Sequence, residues 1–330
     1  MYKIKQLPED FIVNEISSVK AENGFYSYYN LKKTNYTTVG ALELLSRKLG
    51  MPLKNFGFAG NKDKNAVTEQ KISIYKGGKN LENEKFSGIE LKYLGNGKNP
   101  ISLGELEGNA FIITIRNLDE NKISKIKNLN DKKITIPNIF GPQRFSKNNS
   151  DVGKSIIKKD FKKAAELIME NEGYVEAEMK IFLESNKNNY VGALKLIPLK
   201  TRKLFVHAYQ SFLFNKIADE YIKANPKKDA KLPVIGFDFE INNVEDKNLK
   251  KIIEKIVEDE KITARDFIIN QMPELTSEGT ERDLFFEIND LKILEDNDDE
   301  LNREMKKIKV EFSLKKSCYA TVALDFLLSP

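Results

Sequence analysis

The chain has 330 residues, 40% hydrophobic, with 54 Lys and Arg against 49 Asp and Glu for a net charge of +5. That length can bury a large core and suits two domains, and the hydrophobic share excludes overall disorder. A single Cys excludes an intrachain disulfide, one Cys with one His excludes a Cys/His zinc site, and no apolar run reaches the roughly 18 residues of a membrane span.

MYKIKQLPED lacks the apolar core of a signal peptide, so a cytoplasmic protein is expected. Residues 1–35 read as two or three strands. In the first, Phe11, Val13 and Glu15 alternate with Ile12 and Asn14, compatible with burial on both faces. The tyrosine-rich run Phe25 to Leu31 has high strand propensity. Thr38 is placed to cap a helix carrying Val39, Leu42, Leu45 and Leu49 on one stripe, closed by Gly50. Next comes FGFAGNKDKNAVTEQKISIY, Phe56 to Tyr75, where Asp63 stands between Lys62 and Lys64 in a loop opened by Gly57 and Gly60. Neighbouring cations favour an ionised carboxylate, and glycines let backbone approach a ligand closely. Strands are expected at Lys71 to Tyr75, Phe86 to Lys98 and Ala110 to Arg116, and Ile123, Ile126 and Leu129 mark a short helix. With few regular βαβ repeats, this is an α+β pattern.

Pro137 to Phe145, PNIFGPQRF, offers an amide, a ring and a guanidinium on a Pro/Gly-bent loop. An extruded base needs such a set: an edge to hydrogen-bond, a face to stack on and a cation for phosphate. From about Asp151 the pattern turns helical, with stripes through Phe161, Ala164, Ala165 and Ile168, through Phe205, Tyr209 and Phe212, and through Leu249, Ile252, Ile253 and Ile256. Ile308 to Leu314 and the tail Tyr319 to Leu327 read as strands, which would bury Cys318. Cations cluster at Lys62/Lys64, Lys125/Lys127/Lys132/Lys133, Lys154/Lys158/Lys159/Lys162/Lys163 and Lys200/Arg202/Lys203, and acids at Glu295 to Glu300. That separation suggests one face for phosphate and another for solvent.

Gly57, Ala59, Gly60, Lys62, Asp63, Ala66, Thr68 and Gln70 match G-x-A-G-x-K-D-x-x-A-x-T-x-Q in full. In this the chain resembles the TruD-type tRNA pseudouridine synthases, archaeal-type members in particular. Lys5 to Glu15 resembles the family's opening strand, K-x-x-P-E-D-F-x-V-x-E. Asn138 to Phe145 resembles N-Y/F-F-G-x-Q-R-F-G, with Ser146 where the family usually has glycine. Ala208 to Asn215 is similar to the A-x-Q-S-x-L-F-N helix, Ser317 to Leu324 to the last strand and Gly108 to Phe111 to a central one.

The resemblance implies an α+β fold: a mixed, mostly antiparallel catalytic sheet domain (1–154 and 281–330) with a helix-rich α/β insert (155–280). It makes Asp63 the catalytic residue and Lys5 its paired cation. Phe140 would stack on the target uracil and Asn138 would help hold the nucleotide, with Arg144, Gln143 and Lys62 completing the substrate-binding set. Gln210, Ser211 and Asn215 are expected to tie the insert down rather than touch RNA. The implied reaction isomerises uridine in tRNA, usually at position 13, and needs no metal, redox cofactor or nucleotide. Whether the aspartate attacks C1′, adds to C6 or abstracts the C2′ proton, it must be ionised. The expected partner is tRNA, bound by a monomer. A non-catalytic RNA binder or chaperone on the same fold is the rival, but it would be free to lose Asp63, Lys5, Asn138 and Phe140. A nucleotide-phosphate loop is excluded by the missing G-x-x-x-x-G-K-[ST].

Overall fold

The computed structural model describes residues 2–130, 132–226 and 228–328. It forms two compact units, residues 1–136 with 286–330, and 137–285. The strands in chain order are β1 (Phe11–Ile16), β2 (Tyr26–Thr34), β3 (Phe56–Phe58), β4 (Val67–Tyr75), β5 (Ile89–Gly97), β6 (Gly108–Leu118), β7 (Ile134–Pro137), β8 (Lys231–Val234), β9 (Thr280–Asp283), β10 (Phe285–Asp298) and β11 (Lys306–Lys315).

The first unit is built on a nine-stranded sheet in the order β5-β2-β4-β1-β6-β11-β10-β7, with β3 paired to β4. Among the described registers in this sheet, β1 with β4 is parallel and the rest are antiparallel. Tyr29 and Leu31 of β2 and Ile72 and Ile74 of β4 pack with Ala41, Leu42 and Leu45 of the helix Thr38–Leu49. That helix is capped by Thr37, whose side chain accepts from the Gly40 N–H, one residue earlier than expected. The hydroxyl of Thr38 is thereby released for another task. β4 starts four residues before the expected Lys71 because its buried face there is polar, Thr68 and Gln70, and carries no hydrophobic signal.

The tail is not a strand. Ala320–Leu328 is a helix with Ala320, Ala323, Leu324 and Leu327 buried, a spacing of three and four among strong helix formers. Cys318 lies in the turn before it, half-buried rather than in a sheet core.

In the second unit the helix Leu199–Ala224 is the spine, burying Phe205, Val206, Tyr209, Leu213, Phe214 and Tyr221. Against it pack Asn149–Ile157 and Lys247–Glu260, with Phe161–Met169 packed on the first of these, Tyr190–Lys195 on Phe161–Met169, and β8 and β9 as a two-stranded ribbon. The unit is wider than the expected 155–280. Val152, Ile156 and Ile157 are fully buried in its core, so the helix carrying them cannot be left outside. Gly153 permits that packing, since a Cβ there would lie 2.0 Å from the Phe205 carbonyl oxygen.

Part of the charged runs is paired within the fold. The acidic run is a cross-strand partner set: Glu295 pairs with Lys309 at 3.1 Å, Asp298 with Lys306 at 2.9 Å and Glu300 with Lys307 at 2.5 Å. Asp299 and Glu300 also reach the buried guanidinium of Arg116, which is held by Asp10 as well. Lys154 pairs with Glu260, Lys158 with Asp266, and buried Arg202 with Glu274. These cations hold acids of their own unit. Among the described residues no helix is long and apolar enough to cross a membrane.

Candidate active site

Asp63 lies in the loop joining β3 to β4. Gly57 at its entrance is required sterically: a Cβ there would lie 2.4 Å from the Ile101 carbonyl oxygen and 2.5 Å from Ser73 Oγ. The loop is tied at several points. Lys62 N–H donates to Thr38 Oγ1 (2.8 Å), Thr38 donates to Gln70 Oε1 (2.7 Å), and Gln70 Nε2 donates to the Gly60 carbonyl (2.9 Å). The Asp63 carbonyl accepts from Lys33 Nζ at 2.9 Å. Gly57, Lys62 and Gln70 of the motif therefore hold the loop's shape, by contacts with Ile101, Thr38 and the loop backbone.

The carboxylate projects from this frame. Asp63 Oδ2 is 2.5 Å from Lys5 Nζ, and the aspartate side chain is 52% exposed against 18% for the lysine. The cation paired with the carboxylate thus comes from 58 residues away. Lys5 adopts φ 60°, with its ammonium 4.1 Å from the centroid of the Phe11 ring. Its segment is clamped on both sides, by the Lys3–Arg116 bridge and by Leu7 N–H donating to Asp10. An exposed carboxylate on a restrained backbone, beside one restrained cation, is pre-organised to act as nucleophile or base.

Lys62 takes a different place from the one expected. Its ammonium is buried and pairs with Glu15 at 2.8 Å, while the other Glu15 oxygen accepts from Lys71 N–H. It joins the loop to β1. Lys33, which the sequence reading passed over, is completely buried. Burial pushes its pKa down to about 8, the Asp63 carboxylate working against that shift and Lys62 with it. A signal was available: strict alternation from Tyr29 and Leu31 puts Lys33 on the core face.

The PNIFGPQRF residues form a second cluster, within the second unit. Phe140 is half-buried, its ring meeting Phe214 edge-on at 5.5 Å. Asn215 grips its backbone from both sides, accepting from Phe140 N–H and donating to its carbonyl, each at 2.9 Å. Gln210 likewise donates to the carbonyls of Ile235 and Glu278, and the Ser211 hydroxyl to that of His207. Arg144 lies 5.4 Å from the Phe140 ring centroid and Arg282 lies 4.3 Å from it. Gln143 is exposed on the short helix Pro142–Phe145.

Asn138 departs from its expected role of holding a nucleotide. It is buried, its Nδ2 donates to the Asp283 carbonyl, and its Oδ1 and main-chain oxygen both accept from Arg282. The amide is committed to the protein, and what it positions is the guanidinium over Phe140. Arg282 carried no sequence signal, since its partner stands 144 residues earlier.

Ser146, which replaces the family's usual glycine, has φ 47° and ψ −133°. That backbone region favours glycine. Ser146→Gly should therefore raise stability by about 1 kcal/mol, as the relieved strain exceeds the added freedom of the unfolded chain. Chemical denaturation checks it, and an unchanged or lower midpoint would show that no strain is stored there.

The family model for tRNA pseudouridine synthase D (TruD) matches residues 2–181, 169–231 and 224–325. The chain is 29% identical to the probable tRNA pseudouridine synthase D of Methanococcoides burtonii, over 98% of its own length and 92% of that protein. It is 30% identical to the probable tRNA pseudouridine synthase D 2 of Methanocaldococcus jannaschii, over 98% and 90% of the two chains. The crystal structure of the putative tRNA pseudouridine synthase D (TruD) from Methanosarcina mazei aligns with a TM-score of 0.76 at 27% identity, covering 99% of this chain and 93% of that one. Fold and sequence thus agree on the pseudouridine synthase class. The chain belongs to the TruD family of tRNA pseudouridine synthases.

Proposed function

We propose that this protein converts uridine 13 of tRNA to pseudouridine, with Asp63 as the catalytic carboxylate and Lys5 as the cation that holds it. The observation that carries this is the Lys5–Asp63 pair at 2.5 Å, with the carboxylate half exposed and its loop fastened from behind. Isomerisation detaches uracil from C1′, turns it and rejoins it through C5. Each way of starting that sequence draws on an ionised carboxylate, and a paired lysine keeps it so.

Phe140 is the platform on which the extruded uracil stacks, and Arg144 and Gln143 supply RNA contacts beside it. Asn138 and Lys62 act at one remove, by holding Arg282 and Glu15. The unit 137–285 is the inserted domain. The protein works as a cytoplasmic monomer whose partner is tRNA, and no cofactor takes part.

Mapping pseudouridine in unmodified tRNA incubated with and without the protein tests the target. Pseudouridine is expected at position 13. Full conversion elsewhere with position 13 untouched would reject that assignment and leave the family membership standing.

A further inference from the structure

We infer, on the reading that Asp63 is the catalytic carboxylate, that Lys33 is a positioning residue for the reaction: its buried ammonium ties the Asp63 carbonyl to the Tyr36 carbonyl and so fixes the loop from which the carboxylate projects. Lys33 sits on β2 with no exposed surface, on the face shared with Tyr29 and Leu31. Its Nζ donates to the Asp63 carbonyl at 2.9 Å and to the Tyr36 carbonyl. A buried ammonium met by carbonyl oxygens is poorly compensated for the water it has lost. A leucine would serve this sheet core better, and such a cost is retained where the bond has a use.

The use is visible in what the two carbonyls belong to. One residue before Asp63 the chain is held by Thr38, which accepts from Lys62 N–H, and the peptide on the C-terminal side of Asp63 is held by Lys33. The loop is therefore fastened on both sides of the residue. Tyr36 belongs to the segment between β2 and the helix Thr38–Leu49, and it lines an open cavity of about 730 Å³ together with Asn35, Thr37, Arg47 and Lys64. Lys33 thus locks the wall of that cavity to the Asp63 loop. A displacement of about 1 Å at a reacting group costs on the order of 10²-fold in rate, so a single internal tie can matter at this scale.

The charges acting on Lys33 are the Asp63 carboxylate, which favours the ammonium, and Lys62, which opposes it; its register partners Thr68 and Ile89 carry none. With the pKa pushed down to about 8, the ammonium is present below that pH and lost above it. The positioning bonds should loosen over the same interval.

The test is Lys33→Met in the full chain, which keeps the apolar stem and removes the ammonium, assayed on unmodified tRNA beside wild type and Asp63→Asn. The expected result is a kcat lower by roughly 10- to 100-fold with KM for tRNA within about threefold and the melting temperature kept. Wild-type kcat should fall between about pH 7 and 9, and that fall should be missing from the variant's own profile. A folded Lys33→Met with wild-type kcat, or a wild-type profile flat across that range, would overturn the inference. Should Lys33→Met not fold, the wild-type profile alone decides. An inactive Asp63→Asn beside a fully active Lys33→Met removes only the role of Lys33, whereas an active Asp63→Asn removes the catalytic reading on which it rests.

Discussion

Asp63→Asn is expected to reduce pseudouridine formation to below about a hundredth of wild type, since a positioned acid, base or nucleophile contributes roughly 10² to 10⁴ in rate. The amide keeps the size of the side chain but can neither carry the charge nor accept the proton. The fold should hardly respond. The substituted oxygen belongs to a half-exposed side chain, and exposed pairs contribute about 0–1 kcal/mol. The bond from Lys33 goes to the main-chain carbonyl, which the substitution leaves in place. Binding of tRNA should stay within about threefold, because phosphate contacts dominate affinity. Single-turnover conversion, filter binding and melting on the same preparation separate the three quantities. Residual turnover above about a hundredth of wild type would move the chemistry to another group.

The sequence made the Asp63 loop legible because its constraints are local. Two glycines, a buried alanine and a glutamine lie within the fourteen positions from Gly57 to Gln70, and they answer to contacts inside that loop, with the strand that follows it, or with Thr38 and Ile101 packed beside it. Lys5 was legible only through its motif, since nothing in its own neighbourhood says that its ammonium reaches Asp63. Lys62 and Asn138 show the limit of this kind of evidence. Both stand within functional motifs, and both turn inward, to Glu15 and to Arg282, because a buried polar group must be satisfied by whatever the fold brings beside it. Which partner arrives is set by long-range topology, 47 residues away in one case and 144 in the other. The tail misread as a strand has a related cause. A short apolar run carries too little period to tell a strand from a buried helix, and only the packing of Ala323 and Leu327 resolves it. The compact unit begins before the expected insert because its first buried helix, Asn149–Ile157, precedes the first long amphipathic stripe.

Phe140→Ala should slow turnover by roughly 5- to 150-fold, the equivalent of the 1–3 kcal/mol that an aromatic platform supplies to a stacked base. It should also weaken the fold. Complete removal of a core phenyl costs about 3–5 kcal/mol, and this ring is half-buried against Phe214, so about 2 kcal/mol is expected. The guanidinium of Arg282, 4.3 Å from the ring centroid, loses that contact but keeps the Phe214 ring, 5.8 Å from it, and both bonds to Asn138. Asn215 still holds the main chain at position 140 through two hydrogen bonds, so the loop should keep its course around the missing ring. These two restraints allow a kinetic effect to be separated from a folding effect. Phe140→Tyr preserves the face of the ring and should retain most of the rate, while Phe140→Leu fills part of the volume without a π surface. The rate should therefore order as Phe, Tyr, then Leu with Ala, and stability as Phe, Leu, then Ala. If the Phe140→Leu enzyme, measured well below its melting temperature, turned over as fast as wild type, the ring would be a packing element and the uracil would stack elsewhere.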